Sequence, residues 1–402
     1  MELQSRYSGM VKRMKKSAIR ELLKLTKEPG IISFAGGLPA PDTFPVKELQ
    51  EISQEVLETN AIKALQYGTT EGVDELREEL AKNYRLNGMT VASENITITT
   101  SSQQALDFTG RLFLDEGDTV IVGLPSYLGG LQAFGVYGAD LIGVNFDEQG
   151  MRADLLDETI AKLTAENRKP KFIYIIPDFQ NPAGITMPKK RRLEIIEVAR
   201  KHDMIIVEDS PYRELRFEGE AQPTIYELAG DGRVITLGTF SKIFVPGFRI
   251  GWVIAEPEIV DKYITIKQSA DLCTAPFVQY IAAKYMEKGY FRENLKKVIA
   301  KYHSKRDVML KAFDEYMPQG VTWTKPEGGL FLFVTLPEWM DAEDLFKKAI
   351  EKKVAFVLGT VFHCDGSGKN TMRINFSYVS EEQNLEGVKR LAATIKEMID
   401  TH

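Results

Sequence analysis

The residues around Lys242 could hold a cofactor that carries both an aldehyde and a phosphate. Residues 238–242 have the sequence Gly-Thr-Phe-Ser-Lys, and Arg249 follows shortly after them. The amine of a lysine can form a Schiff base with an aldehyde, whereas hydroxyl groups and an arginine can bind a phosphate. We therefore predict that Lys242 binds such a cofactor covalently and that Thr239, Ser241 and Arg249 hold its phosphate.

A second group of phosphate donors comes directly after a predicted strand. Residues 96–100 are rich in β-branched side chains, and Ser101, Ser102 and Gln103 follow where a helix is predicted to begin. Free N–H groups at a helix N-terminus bind anions, and small hydroxyl side chains add further donors. Either serine could instead serve only as the N-cap of that helix. Combined with the hydroxyls beside Lys242, the pair is interpreted as part of the same phosphate site.

Four further residues could hold the ring of the cofactor. Asp209 ends a predicted strand, where a carboxylate can pair with a ring nitrogen and make the ring an electron sink. Asn181 and Tyr212 can hydrogen-bond a phenolate oxygen, and Tyr127 can stack on the ring face. Three of them have an ordinary alternative, which is a turn for Asp209 and Asn181 and simple packing for Tyr127. Considered together with Lys242, they predict pyridoxal 5′-phosphate.

Arg373 provides the group that an amino-acid substrate requires. It lies within residues 371–376, a segment that is predicted to be a strand. An arginine binds a carboxylate through two parallel hydrogen bonds and stays charged. A salt bridge within the protein is the alternative. We predict that Arg373 binds the α-carboxylate of the substrate.

The elements that would position these residues alternate along most of the chain. Short apolar runs recur from residues 96–100 to 250–254, and several are separated by helix-length segments. This alternation predicts an α/β fold with a mainly parallel sheet between helices. Beyond a long predicted helix at 291–317, the pattern becomes α+β. The predicted division is an N-terminal arm at 1–45, a large cofactor-binding domain at 46–290 and a small C-terminal domain at 291–402.

Composition and charge narrow the class of protein. A net charge of -6 argues against a nucleic-acid binder, and the basic cluster at 189–192 is interpreted as a solvated helix face. The 2 cysteines cannot form a disulfide framework. No secretion signal or run of about 18 apolar residues is visible, so a cytoplasmic protein without a membrane span is expected. The 4 histidines are scattered, and no metal site is expected.

Several motifs resemble those of the class I aminotransferases of fold type I, in the branch that contains 2-aminoadipate and kynurenine aminotransferases. The resemblance extends over nearly the whole chain. It implies a large domain with a mainly parallel, seven-stranded type of sheet between helices and a smaller α+β C-terminal domain. The motifs are Ser-Phe-Ala-Gly-Gly-Leu-Pro at 33–39, Leu-Gln-Tyr-Gly at 65–68, Ser-Gln-Gln-Ala-Leu at 102–106, Gln-Asn-Pro-Ala-Gly at 180–184 and Phe-Ser-Lys at 240–242.

The resemblance also implies roles for individual residues. Lys242, Asp209 and Tyr127 form the catalytic group around pyridoxal phosphate. Tyr67 reaches the phosphate of the neighbouring subunit, so a homodimer with shared active sites is implied. Arg20, in a basic amphipathic helix near residues 17–27, meets a distal carboxylate of the substrate. The remaining assignments are Ser101, Ser102, Gln103, Thr239, Ser241 and Arg249 at the phosphate, Asn181 and Tyr212 at the phenolate oxygen, and Arg373, Asn181 and the backbone of Gly37 at the α-carboxylate.

The reaction implied by the resemblance moves the α-amino group of an L-amino acid to a 2-oxo acid by a ping-pong mechanism. The expected donors are 2-aminoadipate, glutamate, aromatic or branched-chain amino acids, and the expected acceptor is 2-oxoglutarate. Two alternatives would use the same cofactor: a β-lyase or racemase, and a regulator that senses pyridoxal phosphate. The regulator is disfavoured because the chain enters the arm at once. Asp178 is expected to add negative charge near the mouth of the site and to weaken binding of acidic side chains.

Overall fold

The computed structural model describes residues 3–14, 16 and 29–401. Arg20 and the predicted helix around it lie outside these residues. The helices within the described residues are α1 (Gly9–Arg13), α2 (Val46–Thr59), α3 (Ala61–Leu65), α4 (Asp74–Leu86), α5 (Ser101–Phe113), α6 (Leu128–Gly135), α7 (Ala153–Ala165), α8 (Lys189–Lys201), α9 (Ile225–Ala229), α10 (Pro257–Ala270), α11 (Pro276–Glu287), α12 (Tyr290–Tyr316), α13 (Ala342–Glu351) and α14 (Glu381–Asp400). The strands are β1 (Ile32–Ser33), β2 (Ile96–Thr100), β3 (Thr119–Leu124), β4 (Asp140–Asp147), β5 (Gly150–Met151), β6 (Phe172–Ile175), β7 (Ile205–Asp209), β8 (Val234–Thr239), β9 (Ile250–Ile254), β10 (Thr322–Trp323), β11 (Phe331–Thr335), β12 (Val354–Ala355), β13 (Val357–Leu358) and β14 (Thr371–Asn375).

A large central sheet forms the framework of the fold. Its strand order is β2-β9-β8-β7-β6-β3-β4-β5. The strands from β8 through β7, β6 and β3 to β4 pair in parallel, whereas β9 runs antiparallel to both of its neighbours. The predicted α/β fold with a mainly parallel sheet is confirmed, and the two-residue strand β5 extends the seven strands expected. Because parallel strands end at one edge, side chains at their carboxyl ends meet there.

Both faces of the sheet are covered, which explains the continuous apolar runs in its strands. Along β6, Phe172 and Tyr174 belong to one hydrophobic cluster, whereas Ile173 and Ile175 belong to another. Successive side chains of a strand point to opposite faces, so this division shows helices packed on each side. The cluster that contains Ile173 also contains apolar residues of α7 and α8. The rigid frame thus formed fixes where each strand ends.

A smaller sheet follows the long helix α12 and forms the core of the C-terminal domain. Its order is β10-β11-β14-β13, and every neighbouring pair is antiparallel. The N-terminal segment joins this domain, because β1 pairs with β12 and the Phe34 N–H donates to the carbonyl of Ala355 at 2.8 Å. The boundaries at 45/46 and 290/291 stay predictions. No helix within the described residues combines the length and apolar character needed to cross a membrane.

One expectation about charge was wrong, and another was right only for Lys189 and Lys190, which are exposed. Arg192 is not on a solvated helix face: its side chain is 0% exposed and pairs with Asp178 at 2.7 Å. Arg192 shares one face of α8 with Ile195, Ile196 and Ala199, and this spacing turns that face inward. Asp178 is equally buried, so it does not add charge near the mouth of a site. A buried ion pair of this kind is neutralised within the protein.

Candidate active site

A cavity of about 760 Å³ lies where the strands of the large sheet end. The side chains at the ends of β7 and β8 line it, and so does Arg373 of the small sheet. The structure therefore brings most of the predicted site residues together. Those that line the cavity are Gly37, Ser101, Ser102, Gln103, Tyr127, Asn181, Asp209, Tyr212, Thr239, Ser241, Lys242, Arg249 and Arg373.

One end of the cavity combines hydroxyl groups, a helix N-terminus and a guanidinium. Helix α5 begins at Ser101, which has a positive φ of 68°. A Cβ on Gly251 of β9 would lie 2.5 Å from the backbone nitrogen of Ser102, so only glycine allows the first turn of α5 to approach so closely. The Thr239 hydroxyl donates to Ser241 Oγ at 2.9 Å, and an Arg249 guanidinium nitrogen lies 3.5 Å from the same oxygen. This arrangement suits a phosphate group.

The amine of Lys242 lies inside the cavity and is easily deprotonated. It donates a hydrogen bond of 2.8 Å to the carbonyl of Gly37. Burial lowers its pKa to about 8, and the positive charges of Arg373 and Arg249 contribute to the shift. At neutral pH a larger fraction of this amine is uncharged than for an exposed lysine. A neutral amine is the form that attacks an aldehyde or removes a proton.

Only one of the two carboxylate oxygens of Asp209 accepts a hydrogen bond within the described residues. The hydroxyl of Tyr174 on the neighbouring strand β6 donates to its Oδ2 at 2.8 Å. Its Oδ1 is buried and has no hydrogen-bond partner within the described residues. Burial raises the pKa of Asp209 to about 7, and the bond from Tyr174 opposes that shift. An unsatisfied buried acceptor beside a cavity fits a ligand that brings a donor, such as a protonated ring nitrogen.

Arg373 is held at the other side of the cavity by neutral groups. Its guanidinium donates to Asn181 Oδ1 and to the carbonyl of Ala35, both at 2.9 Å. It also lies 4.2 Å from the ring centroid of Phe331. No carboxylate within the described residues pairs with Arg373. Burial lowers its pKa to about 10, so it stays positive at neutral pH and can bind an anionic group.

Asn181 connects Arg373 to the middle of the cavity. Its Nδ2 donates to the hydroxyl of Tyr212 at 3.3 Å, while its Oδ1 accepts from Arg373. Burial raises the pKa of Tyr212, so that hydroxyl stays neutral and can donate. On the opposite side, the Gln103 side chain donates to the carbonyl of Gly129 at 3.0 Å. Hydrogen bonds to one another and to nearby backbone carbonyls therefore orient these polar side chains.

The sequence did not indicate Tyr174 or Phe331, and the resemblance assigned Tyr67 to the phosphate of a neighbouring subunit, which stays a prediction. Tyr174 and Phe331 act through contacts across strands, and in the sequence they are ordinary aromatic residues of apolar runs. The only visible signal was a tyrosine in the otherwise apolar strand β6. Tyr67 does not line this cavity, because it is 79% exposed on another surface. It lines a depression there together with Ile62.

Comparisons with known proteins agree with this geometry. A family model described as aminotransferase class I and II matches residues 31–391. The chain is 52% identical over 385 residues to aromatic-amino-acid aminotransferase 1 of Thermococcus litoralis, covering 96% of this chain and 92% of that protein. It is similar to a Pyrococcus horikoshii kynurenine aminotransferase structure in complex with PMP, KYN and KYA (TM-score 0.96, 47% identity, 99% and 98% coverage). It also resembles a Thermus thermophilus α-aminoadipate aminotransferase structure complexed with N-(5′-phosphopyridoxyl)-L-leucine (TM-score 0.92, 38% identity, 100% of both chains).

Proposed function

Because this chain belongs to the class I and II aminotransferases, which depend on pyridoxal 5′-phosphate, we propose that it moves the α-amino group of several L-amino acids to a 2-oxo acid by a ping-pong mechanism. The proposed donors are aromatic amino acids, kynurenine, 2-aminoadipate, glutamate and branched-chain amino acids, and the proposed acceptor is 2-oxoglutarate. Relatives named for aromatic, kynurenine and α-aminoadipate substrates support this range. The observation that carries the proposal is that Lys242 and Arg373 line one cavity.

Different residues of the cavity would bind the cofactor, bind the substrate and transfer the proton in the proposed reaction. Bound pyridoxal phosphate supplies an aldehyde carbon and a ring that stabilises negative charge at the substrate Cα. Ser101, Ser102, Gln103, Thr239, Ser241 and Arg249 would hold its phosphate, while Asn181, Tyr212, Asp209 and Tyr127 would hold its ring. Arg373 binds the α-carboxylate, with Asn181 and the backbone of Gly37 beside it. Lys242 Nζ removes the Cα proton, and such a base typically contributes about 10²–10⁴-fold.

The visible absorbance of the purified enzyme tests the proposal. L-Glutamate, L-2-aminoadipate, L-leucine, L-phenylalanine and L-kynurenine are added in turn without an acceptor. We expect each to convert the absorbance of the aldehyde form to that of the amine form and to release one equivalent of 2-oxo acid. Addition of 2-oxoglutarate should reverse the change. Release of ammonia without an acceptor, formation of D-amino acid, or a spectrum that no amino acid changes would contradict amino transfer.

The walls of the cavity support a broad substrate range. Leu38, Leu128 and Phe331 add apolar surface beside the polar groups. Apolar walls accept side chains of several sizes, because each methylene changes binding by only about 1–3 kcal/mol. Aromatic and branched-chain donors therefore fit these walls, whereas an acidic side chain needs a cation in addition.

Arg20 is the residue that we propose for recognition of acidic side chains. We expect Arg20→Ala to lower kcat/KM for glutamate and 2-aminoadipate by about tenfold, because a charge-assisted bond to the distal carboxylate is lost. The kcat/KM values for leucine and phenylalanine should stay unchanged, and steady-state kinetics with all four donors would measure both. Lys12→Ala removes another cation near the N-terminus and serves as a control. An equal loss for every donor would remove Arg20 from side-chain recognition.

A homodimer is proposed from the apolar surface around Tyr67. Ile62 is 90% exposed and Leu65 is 69% exposed, and both belong to the short helix α3 that precedes Tyr67. A cluster of exposed apolar side chains on a folded protein marks a surface for association. We propose that a second copy of the chain covers it and that Tyr67 donates to the cofactor phosphate held by that copy.

Tyr67→Phe tests the shared site. We expect the Kd for pyridoxal phosphate to rise about tenfold, because a hydrogen bond to a charged group is lost. Fluorescence titration of the apo-dimer would measure it, and sedimentation velocity would show that the dimer persists. Tyr316→Phe is the matched control, because Tyr316 ends α12 and does not line the depression around Tyr67. A monomer at micromolar concentration, or an unchanged Kd in Tyr67→Phe, would contradict the proposal.

The lowered pKa of Lys242 leads to a prediction about pH. The neutral amine increases as pH rises through about 8, so capture of pyridoxal phosphate should accelerate with a midpoint there and level off above it. Stopped-flow absorbance of the apoenzyme would measure the rates. Arg373→Gln should move the midpoint upward, because a neighbouring positive charge that disfavours the protonated amine is removed. A midpoint near that of free lysine in both proteins would show that the cavity does not activate the amine.

A further inference from the structure

Tyr174 binds one oxygen of the Asp209 carboxylate, which lines the cavity. Its hydroxyl donates to Asp209 Oδ2 at 2.8 Å, and both side chains are buried. Oδ1 of the same carboxylate has no partner within the described residues. Asp209 lines the cavity, whereas Tyr174 does not. One oxygen is therefore fixed from behind, and the other is left to accept a bond from a ligand.

Packing holds the tyrosine ring in the position that makes this bond. A Cβ on Gly130 of α6 would lie 2.8 Å from the Tyr174 ring, so the ring occupies the space that this glycine leaves. The ring of Phe134 meets it edge to face, with centroids 5.3 Å apart. Strand pairing adds to the constraint, because Tyr174 of β6 lies opposite Val207 of β7. The hydroxyl is aimed at Asp209 by surroundings that leave it little freedom.

The charges around the pair show what this bond does. Burial raises the pKa of Tyr174 well above its usual value, so the hydroxyl stays a neutral donor. Burial also raises the pKa of Asp209, and the bond from Tyr174 is what opposes that shift. Tyr212 also faces this region, and burial raises its pKa, so its hydroxyl stays neutral. Tyr127, Lys242, Arg249 and Arg373 line the same cavity, whereas within the described residues the Asp209 side chain hydrogen-bonds only to Tyr174.

We propose that Tyr174 is a positioning residue for the cofactor ring. It fixes the rotation of the Asp209 carboxylate and favours its charged form, so that Oδ1 can pair with a protonated ring nitrogen. This inference rests on the proposed role of Asp209 at that nitrogen. It adds a residue outside the cavity that acts on the cofactor only through Asp209.

Tyr174→Phe tests the proposal by binding alone. The Kd of the apoenzyme is measured for pyridoxal phosphate and for 1-deazapyridoxal phosphate, in which carbon replaces the ring nitrogen. We expect the Kd for pyridoxal phosphate to rise about tenfold at pH 7.5, because a hydrogen bond to a charged group is lost. The Kd for the deaza analogue should stay unchanged. Because the pKa of Asp209 rises without its donor, affinity for pyridoxal phosphate should start to fall at a higher pH on acidification.

Matched controls separate this role from simple packing. Tyr263→Phe removes another buried hydroxyl, which bonds to Thr109 at 2.6 Å, and should change neither Kd. The inhibition constant of inorganic phosphate should be the same in wild type and Tyr174→Phe, because the groups that we propose for phosphate binding are elsewhere in the cavity. Equal losses for both cofactors, or no loss for either, would overturn the proposal.

Two further variants keep the test decisive. If Tyr174→Phe does not fold, 3-fluorotyrosine at position 174 provides a more acidic donor, and the acid-side loss of affinity should then move to lower pH. An unchanged profile would overturn the proposal. Asp209→Asn should itself remove the preference for pyridoxal phosphate over the deaza analogue. If Asp209→Asn keeps that preference, the assignment of Asp209 and the role of Tyr174 both fail. If the wild-type enzyme nevertheless carries out amino transfer, the aminotransferase function stands.

Discussion

Lys242→Ala is expected to bind pyridoxal phosphate without covalent attachment and to lose turnover by roughly 10⁴-fold, the upper end of what a positioned base contributes. The amine of Lys242 has a lowered pKa and lies in the same cavity as Asp209 and Arg373. Alanine removes the amine that we propose both as the nucleophile for the aldehyde and as the group that takes the Cα proton. Borohydride reduction followed by mass spectrometry would show whether the cofactor is attached, and single-turnover absorbance would measure the rate.

Two variants and one added amine serve as controls for Lys242→Ala. Lys242→Arg keeps the positive charge but should be as inactive as alanine, because a guanidinium is not deprotonated in proteins. Lys305→Met replaces another largely buried lysine, which donates to the Ser377 carbonyl at 2.8 Å, and should keep its turnover. Ethylamine added to Lys242→Ala should restore part of the rate. Near-normal turnover in Lys242→Ala would refute the assignment.

Arg373→Lys is expected to lower kcat/KM for every amino-acid donor by about 100-fold, since truncating a buried charged partner typically costs 2–5 kcal/mol. A lysine cannot donate two parallel bonds to one carboxylate. It also cannot reproduce the bonds to Asn181 and Ala35 that orient the guanidinium. Stopped-flow kinetics of the first half-reaction would measure the loss. The absorbance of the bound cofactor should be unaffected.

A substrate without a carboxylate separates recognition from general damage. 2-Phenylethylamine is phenylalanine without that group, so its slow reaction should be equal in wild type and Arg373→Lys. Arg216→Lys is the matched protein control, because Arg216 also lies over a phenyl ring, at 4.8 Å from the centroid of Phe179, and does not line the cavity. It should keep wild-type kcat/KM. If 2-phenylethylamine loses as much as phenylalanine, Arg373 does not act through the carboxylate.

The sequence predicted those parts of the site whose donors are close together in the chain. Thr239, Ser241 and Lys242 are nearly contiguous, and the strand ending at Asp209 is a clear apolar run. Their positions follow from local chemistry and from the rule that parallel strands end at one edge. Residue Tyr174 could not be predicted in this way. Its hydroxyl reaches Asp209 only because β6 and β7 pair in the sheet, and the order of strands in a sheet is not visible in the local sequence.

The fold was predicted as far as periodicity reveals it. The β-branched strand at 96–100 and the apolar runs that alternate with helix-length segments after it indicated the mainly parallel sheet, because strands covered on both faces are apolar on both faces. Helices α10 and α11 received no individual prediction, although each begins with a proline in its first turn, a common start signal. The burial of Arg192 was readable from its spacing with Ile195 and Ala199. The run of four basic residues at 189–192 indicated a solvated face instead, and this signal opposed the helical spacing.

The contact between Ala35 and Arg373 joins segments from opposite ends of the chain. Ile32 likewise pairs with Val354, whereas the proposed phosphate donors that line the cavity all lie between Ser101 and Arg249. Domains generally fold as units during synthesis, with the N-terminal parts emerging first. The half of the site that we propose for the phosphate can therefore assemble while the ribosome is still extending the chain. The half that we propose for the substrate carboxylate is completed last, when Arg373 has emerged to meet a segment made near the beginning.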